Sequence, residues 1–349
     1  MLPCRRQAVR ERKLHGNPQN RGKAPAPADR ASAGGPLLAV LDLGTNNCRL
    51  LIATPGPRGG FRVVDSFSRI VRLGEGVGQT GRLSEAAIER TVAALGICAQ
   101  RIARQKVPHV RAIATQAARL AGNADVLVAR VKRETGLDLE VIPAEEEADL
   151  AALGCAPLIG RKYKGALVFD IGGGSTEIIW LARGAGGPEK KFAVSVPMGV
   201  VSLAESYGEA GLGRAGFARM QQAVQARLTD LMAGVGAGFD PARHHLLGTS
   251  GTVTTLAAIA LKLPRYNRAK VDASWHETRH MLKVMDRLAD MEVGALAQIG
   301  PIGRERADLM LAGCAIFGAI CSLWPSPVLR VADRGLREGM LRQLAQGLS

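Results

Sequence analysis

The chain has 349 residues, room for roughly two domains at about 100–200 residues each. Hydrophobic residues make up 47% and aromatics only 4%, so any core must be built from Leu, Val, Ile and Ala. The formal net charge of +15 favours polyanionic partners. Three Trp, three Tyr and seven Phe leave few stacking platforms, which argues against single-stranded nucleic acid as that partner.

Residues 1–36 mix Pro, Gly, Ala, Asn and Arg without periodicity and read as a disordered basic tail. Residues 1–35 hold eight Lys/Arg against two acids, a net +6, so the remaining body still carries +9. No apolar stretch follows these charges, and no secretory signal is expected. From Leu37 the pattern changes. "LLAVLDLGT" and "CRLLIAT" read as two strands around a Gly turn, and "FRVVDSFSRIVRL" as a third. "LSEAAIERTVAALGICAQRIARQK" then reads as a helix with Ser84 as its N-cap and Glu85 in its first turn. Next come a strand at "VRAIAT", a helix ending at Gly136, a strand at "LEVIP" and a helix starting in "AEEEADLAALGCA".

The order then restarts. "GALVFDIGGGSTEIIWLA" is again strand, Gly turn, strand, with "KFAVSVPMG" third. Two helical stretches lead to "HHLLGTSGTVTTLAAIAL", a strand, a Gly/Thr-rich turn over 248–256 and a helix. Helices are expected at about 275–290, 293–299 and 304–324, then a strand "VLRVAD" and a terminal helix. The apolar run 309–324 is shorter than the roughly 18–20 residues that span a bilayer, so it reads as a core helix. Six cysteines at 4, 48, 98, 155, 314 and 321 form no C-x-x-C pair, which suits reduced thiols and a cytoplasmic setting.

Asp42-Leu-Gly44-Thr45-Asn46 and Asp170-Ile-Gly172-Gly173-Gly174-Ser175 are copies of one feature, an Asp-led turn between two apolar strands. They predict a duplicated α/β fold with a cleft between the halves. The expected domains are 37–153 and 154–335, with a terminal helix at 336–348 returning to the first. Turns of this kind let backbone amides approach an anion, and an Asp beside them can hold a hydrated cation. Neither a phosphate-binding P-loop motif nor a dinucleotide fingerprint is present.

These residues, together with "ATQAARLAGNADVLVARV", "EVIPAEEEADLAALG", "VPMGVVSL", "GTSGTVTTLAAI" and "ADRGLREGML", resemble the exopolyphosphatase / guanosine pentaphosphate phosphatase family. The resemblance covers about residue 37 to the C-terminus. It implies two actin-like (ribonuclease H-like) domains and Mg²⁺-dependent hydrolysis of a terminal phosphoanhydride, with polyphosphate or guanosine pentaphosphate as substrate. It implies Glu147 as the catalytic base, with Glu146 as the fallback within the run of three acids. It implies Asp42, Asp170 and Glu177 on the metal side, with Mn²⁺ as an alternative ion for the same ligands. Phosphate would be held by Arg119, Arg49, Asn46 and the turn residues Gly44, Thr45, Gly172, Gly173, Gly174 and Ser175, with Asn123 in the Arg119 motif. No membrane contact is expected, and a homodimer is the default assembly. The family's Ser-Gly lead-in to the glutamates reads Pro143-Ala144 here, so the loop before the base is expected to differ. The further C-terminal domains of longer members, which help bind long chains, are not expected here, and processivity is expected to suffer.

His276-Glu277-Thr278-Arg279-His280 matches the H-E-x-x-H pattern of zinc proteases. Ser274 and Glu277 read instead as a capping box, which makes the two histidines ordinary residues of a surface helix.

Overall fold

Leu38–Leu43 (β1) is buried along its whole length, and its side chains alternate between two apolar clusters. Ala39, Leu41 and Leu43 face the helices Glu85–Arg104 (α1) and Ala124–Thr135 (α3); Leu38 and Val40 face the opposite side. The structure, a computed structural model, describes residues 35–57, 60–230 and 238–348. The expected tail over 1–36 therefore lies outside the described residues except for Gly35 and Pro36.

Two sheets organise the described residues. In the first, β1 pairs antiparallel with Asn47–Pro55 (β2), which pairs with Phe61–Ile70 (β3); on its other edge β1 runs parallel to His109–Ala114 (β4) and then Leu139–Val141 (β5). The second repeats this plan. Gly165–Ile171 (β6) pairs antiparallel with Thr176–Gly184 (β7) and through it with Gly187–Val196 (β8). On its other side lie His244–Thr249 (β9) and Val328–Val331 (β11), both parallel. Trp275–Glu277 (β10) adds an antiparallel edge. The orders β3-β2-β1-β4-β5 and β8-β7-β6-β9-β11 are thus one topology used twice.

Apolar strands buried on both faces need helices on both. In the second half, Leu167, Phe169 and Ile171 pack against Ser250–Ala260 (α7), Thr278–Ala289 (α8) and Met310–Leu323 (α9). Helix α9 is the apolar run singled out above; it is almost wholly buried, and among the described residues no helix is long and apolar enough to cross a membrane.

The helix Ala144–Cys155 (α4) is wedged between the halves. Ala148, Ala151, Ala152 and Cys155 pack on the second sheet through Ala166 and Val168, while Leu150 joins Leu38 and Val40 of the first. The terminal helix Leu336–Gln346 (α10) lies on that same first-sheet face through Leu336, Met340 and Leu341.

Three local expectations are corrected. The helix expected from about 275 begins at Thr278, because residues 275–277 extend the second sheet against β11. The stretch 293–299 is helical only over Val293–Leu296, and the one at 304–324 only from Met310, after a short 3₁₀ turn. Pro301 and Gly303, the latter with a positive φ, keep the residues before Met310 out of helix.

Candidate active site

The two hairpins carry identical turn geometry. The Gly44 amide donates to Asn47 O at 2.9 Å, and the Gly172 amide to Ser175 O at 2.9 Å. In register, Asp42 sits opposite Arg49 and Asp170 opposite Glu177, the same seven-residue spacing in each copy. The carbonyls of both turns point away from the cleft. Asn46 O accepts from Val71 and Arg72, and Gly172 O and Gly173 O accept from Val200 and Val201. Among the described residues the amides of Thr45, Asn46, Gly173, Gly174 and Ser175 donate to no backbone carbonyl, so they are available to an anion.

The turns touch. A Cβ on Gly173 would stand 2.9 Å from Thr45 Cβ and 3.2 Å from the Asn46 nitrogen; one on Gly174 would stand 2.6 Å from Thr45 Oγ1. Only glycine fits there, which brings both sets of free amides to one cleft of about 770 Å³.

The cleft is lined by every site residue expected from the sequence except Arg119, its companion Asn123 and the fallback Glu146. Arg119, at the end of the short helix Gln116–Leu120 (α2), lies behind Glu147, its Nη2 2.7 Å from Glu147 Oε2. That oxygen is buried, and Arg119 is its close ion-pair partner. The guanidinium also donates to Ile142 O at 3.0 Å and to Gln116 Oε1. Arg119, expected to grip phosphate, is paired in this structure with Glu147, Gln116 and Ile142. Asn123 is structural, bonding the backbone of Leu83 through both ends of its amide.

The glutamate run divides by direction. Glu147 faces the cleft, while Glu146 turns away to Arg111 at 2.5 Å. Arg111 also takes Glu140 at 3.0 Å and donates to Gln343 of α10, so one guanidinium joins β4, β5, α4 and α10. Pro143 stands at the N-cap of α4 in place of the family's Ser-Gly lead-in. Arg111→Met should lower stability by about 1–3 kcal/mol, the range for stranding part-buried polar partners. Urea unfolding would read it, and a midpoint equal to the parent's would show the four-way junction to be idle.

Burial sets the electrostatics. It pushes the Glu147 carboxyl up to about 7, with Arg119 opposing and Asp42 and Asp170 adding to the rise. Burial likewise raises Asp170 to about 6, against a Ser250 hydrogen bond and the charge of Arg49. Asp42 is raised by burial and held back by Arg49 and Arg337. Glu177 is raised strongly, again by burial first, although Ser175 and Ser195 both donate to its Oε1 at 2.7 Å. Four desolvated carboxylates on one cleft wall are unfavourable without cations.

Among the described residues no three His, Cys, Asp or Glu side chains stand close enough to enclose a metal. A cation here would be held by one or two carboxylates, with water and substrate oxygens completing its shell, the usual manner of Mg²⁺. Asp42 and Asp170 line the cleft at the two turns and fit that role, as does Glu177 through Oε2, the two serines bonding its Oε1.

Sequence reasoning missed the basic wall. Arg268, Arg304, Arg306, Arg334 and Arg337 also line the cleft. The +9 body and the "ADRGLREGML" segment were the available signals. The H-E-x-x-H pattern does not form on one helix. His276 is buried on β10 beside Ser274 at 2.8 Å, Glu277 is the N-cap of α8, and no capping box forms.

A family model described as the Ppx/GppA phosphatase family matches residues 52–347. A curated protein named Exopolyphosphatase 2, from Mycobacterium tuberculosis, is 35% identical over 290 residues, spanning 80% of this chain and 88% of that protein. The crystal structure of the Aquifex aeolicus member of the Ppx/GppA family superposes with a TM-score of 0.75 at 30% identity, over 90% of this chain and 99% of its own. An exopolyphosphatase from Cytophaga hutchinsonii superposes at 0.79 over 89% and 98%; at 24% identity it speaks to the fold alone.

Proposed function

The chain belongs to the Ppx/GppA phosphatase family, and we propose that it is an exopolyphosphatase, releasing orthophosphate from the end of inorganic polyphosphate. The observation that carries this reading is the placement of Glu147. It is a cleft-facing carboxylate at the start of a helix wedged between the halves, beside two turns of free amides and a wall of arginines.

The terminal phosphoryl group lies against the amides of Thr45, Asn46, Gly173 and Gly174, with Gly44, Gly172 and Ser175 shaping the turns. Glu147 accepts a proton from the attacking water and aims it at phosphorus. Arg119 keeps the Glu147 carboxylate oriented and limits how far burial can neutralise it. Asp42 and Asp170 would hold Mg²⁺, or Mn²⁺ on the same ligands, and that cation would supply neutralisation of charge on the phosphate oxygens. Little new bonding gathers at the transition state, so positioning and charge account for most of the rate.

The reading divides the chain near 153/154, with α10 belonging to the first half, and places the protein in the cytoplasm, where its five described, buried free cysteines stay reduced.

The test is orthophosphate release from long-chain polyphosphate and, in parallel, from guanosine pentaphosphate, each with Mg²⁺ and with chelator. Faster release from polyphosphate, abolished by chelation and restored by Mg²⁺, is expected. Preference for the nucleotide would replace the substrate and keep the residue roles; silence on both would leave a polyanion-binding protein.

A further inference from the structure

Gln116 opens α2, lines the cleft and is almost completely buried. Its side-chain oxygen accepts from Arg119 twice, from Nε at 3.2 Å and from Nη2 at 2.7 Å. Arginine carries donors and no acceptor, so the oxygen is the end of the amide that has to face it. The amide nitrogen is thereby turned the other way. Among the described residues Gln116 Nε2 donates to no protein atom, and it is not sealed from solvent. Its two protons are open to the cleft that the residue lines.

Two contacts fix where that nitrogen stands. Arg119 Nη2 is also 2.7 Å from Glu147 Oε2, so Gln116 Oε1 and Glu147 Oε2 flank one nitrogen and are at most twice that distance apart. The Gln116 side chain also lies against the second turn, where a Cβ on Gly174 would stand 3.0 Å from Gln116 Cγ. Glu147 is the proton acceptor, and Gly174 carries one of the free amides of the phosphate cradle. Gln116 therefore bridges acceptor and cradle, and the water that attacks phosphorus has to sit between those two.

We propose that Gln116 is a further catalytic residue, its Nε2 donating to the oxygen of the attacking water while Glu147 accepts one of the water's protons. A water oxygen has two lone pairs. The amide holds one, which leaves the other aimed at phosphorus. As the new O–P bond forms, one proton passes to Glu147 and the other stays on the orthophosphate. The bond to the rest of the chain breaks, and its electron pair leaves on the bridging oxygen. A carboxylate alone fixes one direction of the water; the amide fixes a second. Arg119 braces both members of the pair. The proposal rests on the reading of Glu147 as the base.

The experiment compares kcat and KM on long-chain polyphosphate for the parent, Gln116→Met and Gln116→Glu at about pH 9, above the Glu147 break. Methionine is close to glutamine in size and has no amide. Glutamate keeps an oxygen for Arg119 and loses the donor. Each variant should lower kcat about 10- to 100-fold, the cost of a misplaced reactant, with KM within about threefold of the parent. A residue that gripped substrate would instead raise KM. One that only braced Arg119 would lose little in Gln116→Glu, which keeps the brace. Gln116→Met leaves part of the Arg119 guanidinium unpartnered and should melt lower, so Gln116→Glu decides if the methionine variant does not fold. A kcat for Gln116→Glu within about threefold of the parent, or a loss carried wholly by KM, overturns the proposal. If the parent hydrolyses guanosine pentaphosphate and not polyphosphate, the same comparison on the nucleotide carries the same expectations. A parent that hydrolyses neither overturns the reading of Glu147, and the proposal with it.

Discussion

Glu147→Gln should cut phosphate release by about 10²–10⁴-fold while leaving polyphosphate binding near that of the parent, the range for removing a positioned general base. Glutamine keeps the shape and the hydrogen-bonding length but cannot take the proton. Glu146→Gln is the matched control, because Glu146 turns away to Arg111, and it should lose far less. Initial rates with saturating polyphosphate, alongside equilibrium binding, separate the two outcomes; near-normal turnover in Glu147→Gln would falsify the assignment.

The pH profile carries a second signature. The base works only when ionised, and burial lifts Glu147 to about 7, so kcat/KM should fall about tenfold per unit below that value and level off above it. A cation or Arg119 drawn closer by substrate would move the break downward in kcat. The same shift affects stability with a definite sign. A carboxyl whose folded value lies above its ordinary 4.5 is held protonated by the fold. Its contribution to stability is greatest below about 4.5 and is lost as pH rises through about 7. Glu147→Gln removes that loss, so at pH 8 the inactive variant should melt no lower than the parent. A marked drop in Tm would mean the lost activity reflects lost structure.

Much of this was legible because the chain states it twice. Asp42 and Asp170 lie at the same place in two apolar hairpins, and a strand that is hydrophobic on both faces has to be central. The turn glycines were legible for a related reason, since a close backbone approach to an anion leaves no space for a side chain. Other features depend on contacts between segments far apart in sequence. Arg119 has the right chemistry for phosphate, yet the distance that decides its partner is set by how α2 meets α4. Residues 275–277 look helical by themselves, and pairing with β11, more than fifty residues later, makes them a strand. The free nitrogen of Gln116 cannot be seen in the sequence either, because which end of an amide meets a partner is decided by geometry rather than by adjacency.

The position of Glu147 depends on a crossing that a single methyl group should disrupt. Helices α4 and α10 approach so closely that a Cβ on Gly339 would run into the carbonyl oxygen of Leu150, and one on Gly154 into that of Gly335. In both cases the obstacle is backbone, which cannot rotate aside as a side chain could. Gly339→Ala should therefore destabilise by about 1–3 kcal/mol, the usual range for overpacking, and Gly339→Val by more. Neither glycine lines the cleft, so a purely local account predicts unchanged turnover for the folded fraction. The wedge predicts otherwise. Helix α4 carries Glu147 on its first turn, and pushing its other end away from α10 tilts it between the two sheets. A displacement of about 1 Å at a catalytic group can cost as much as ~10²-fold. Gly339→Ala should thus lose kcat at temperatures well below its Tm, with KM for polyphosphate changed less, because the turn amides are held by the two sheets. Loss confined to Tm, with full kcat in the folded enzyme, would show that the terminal helix only stabilises the first half and does not position the base.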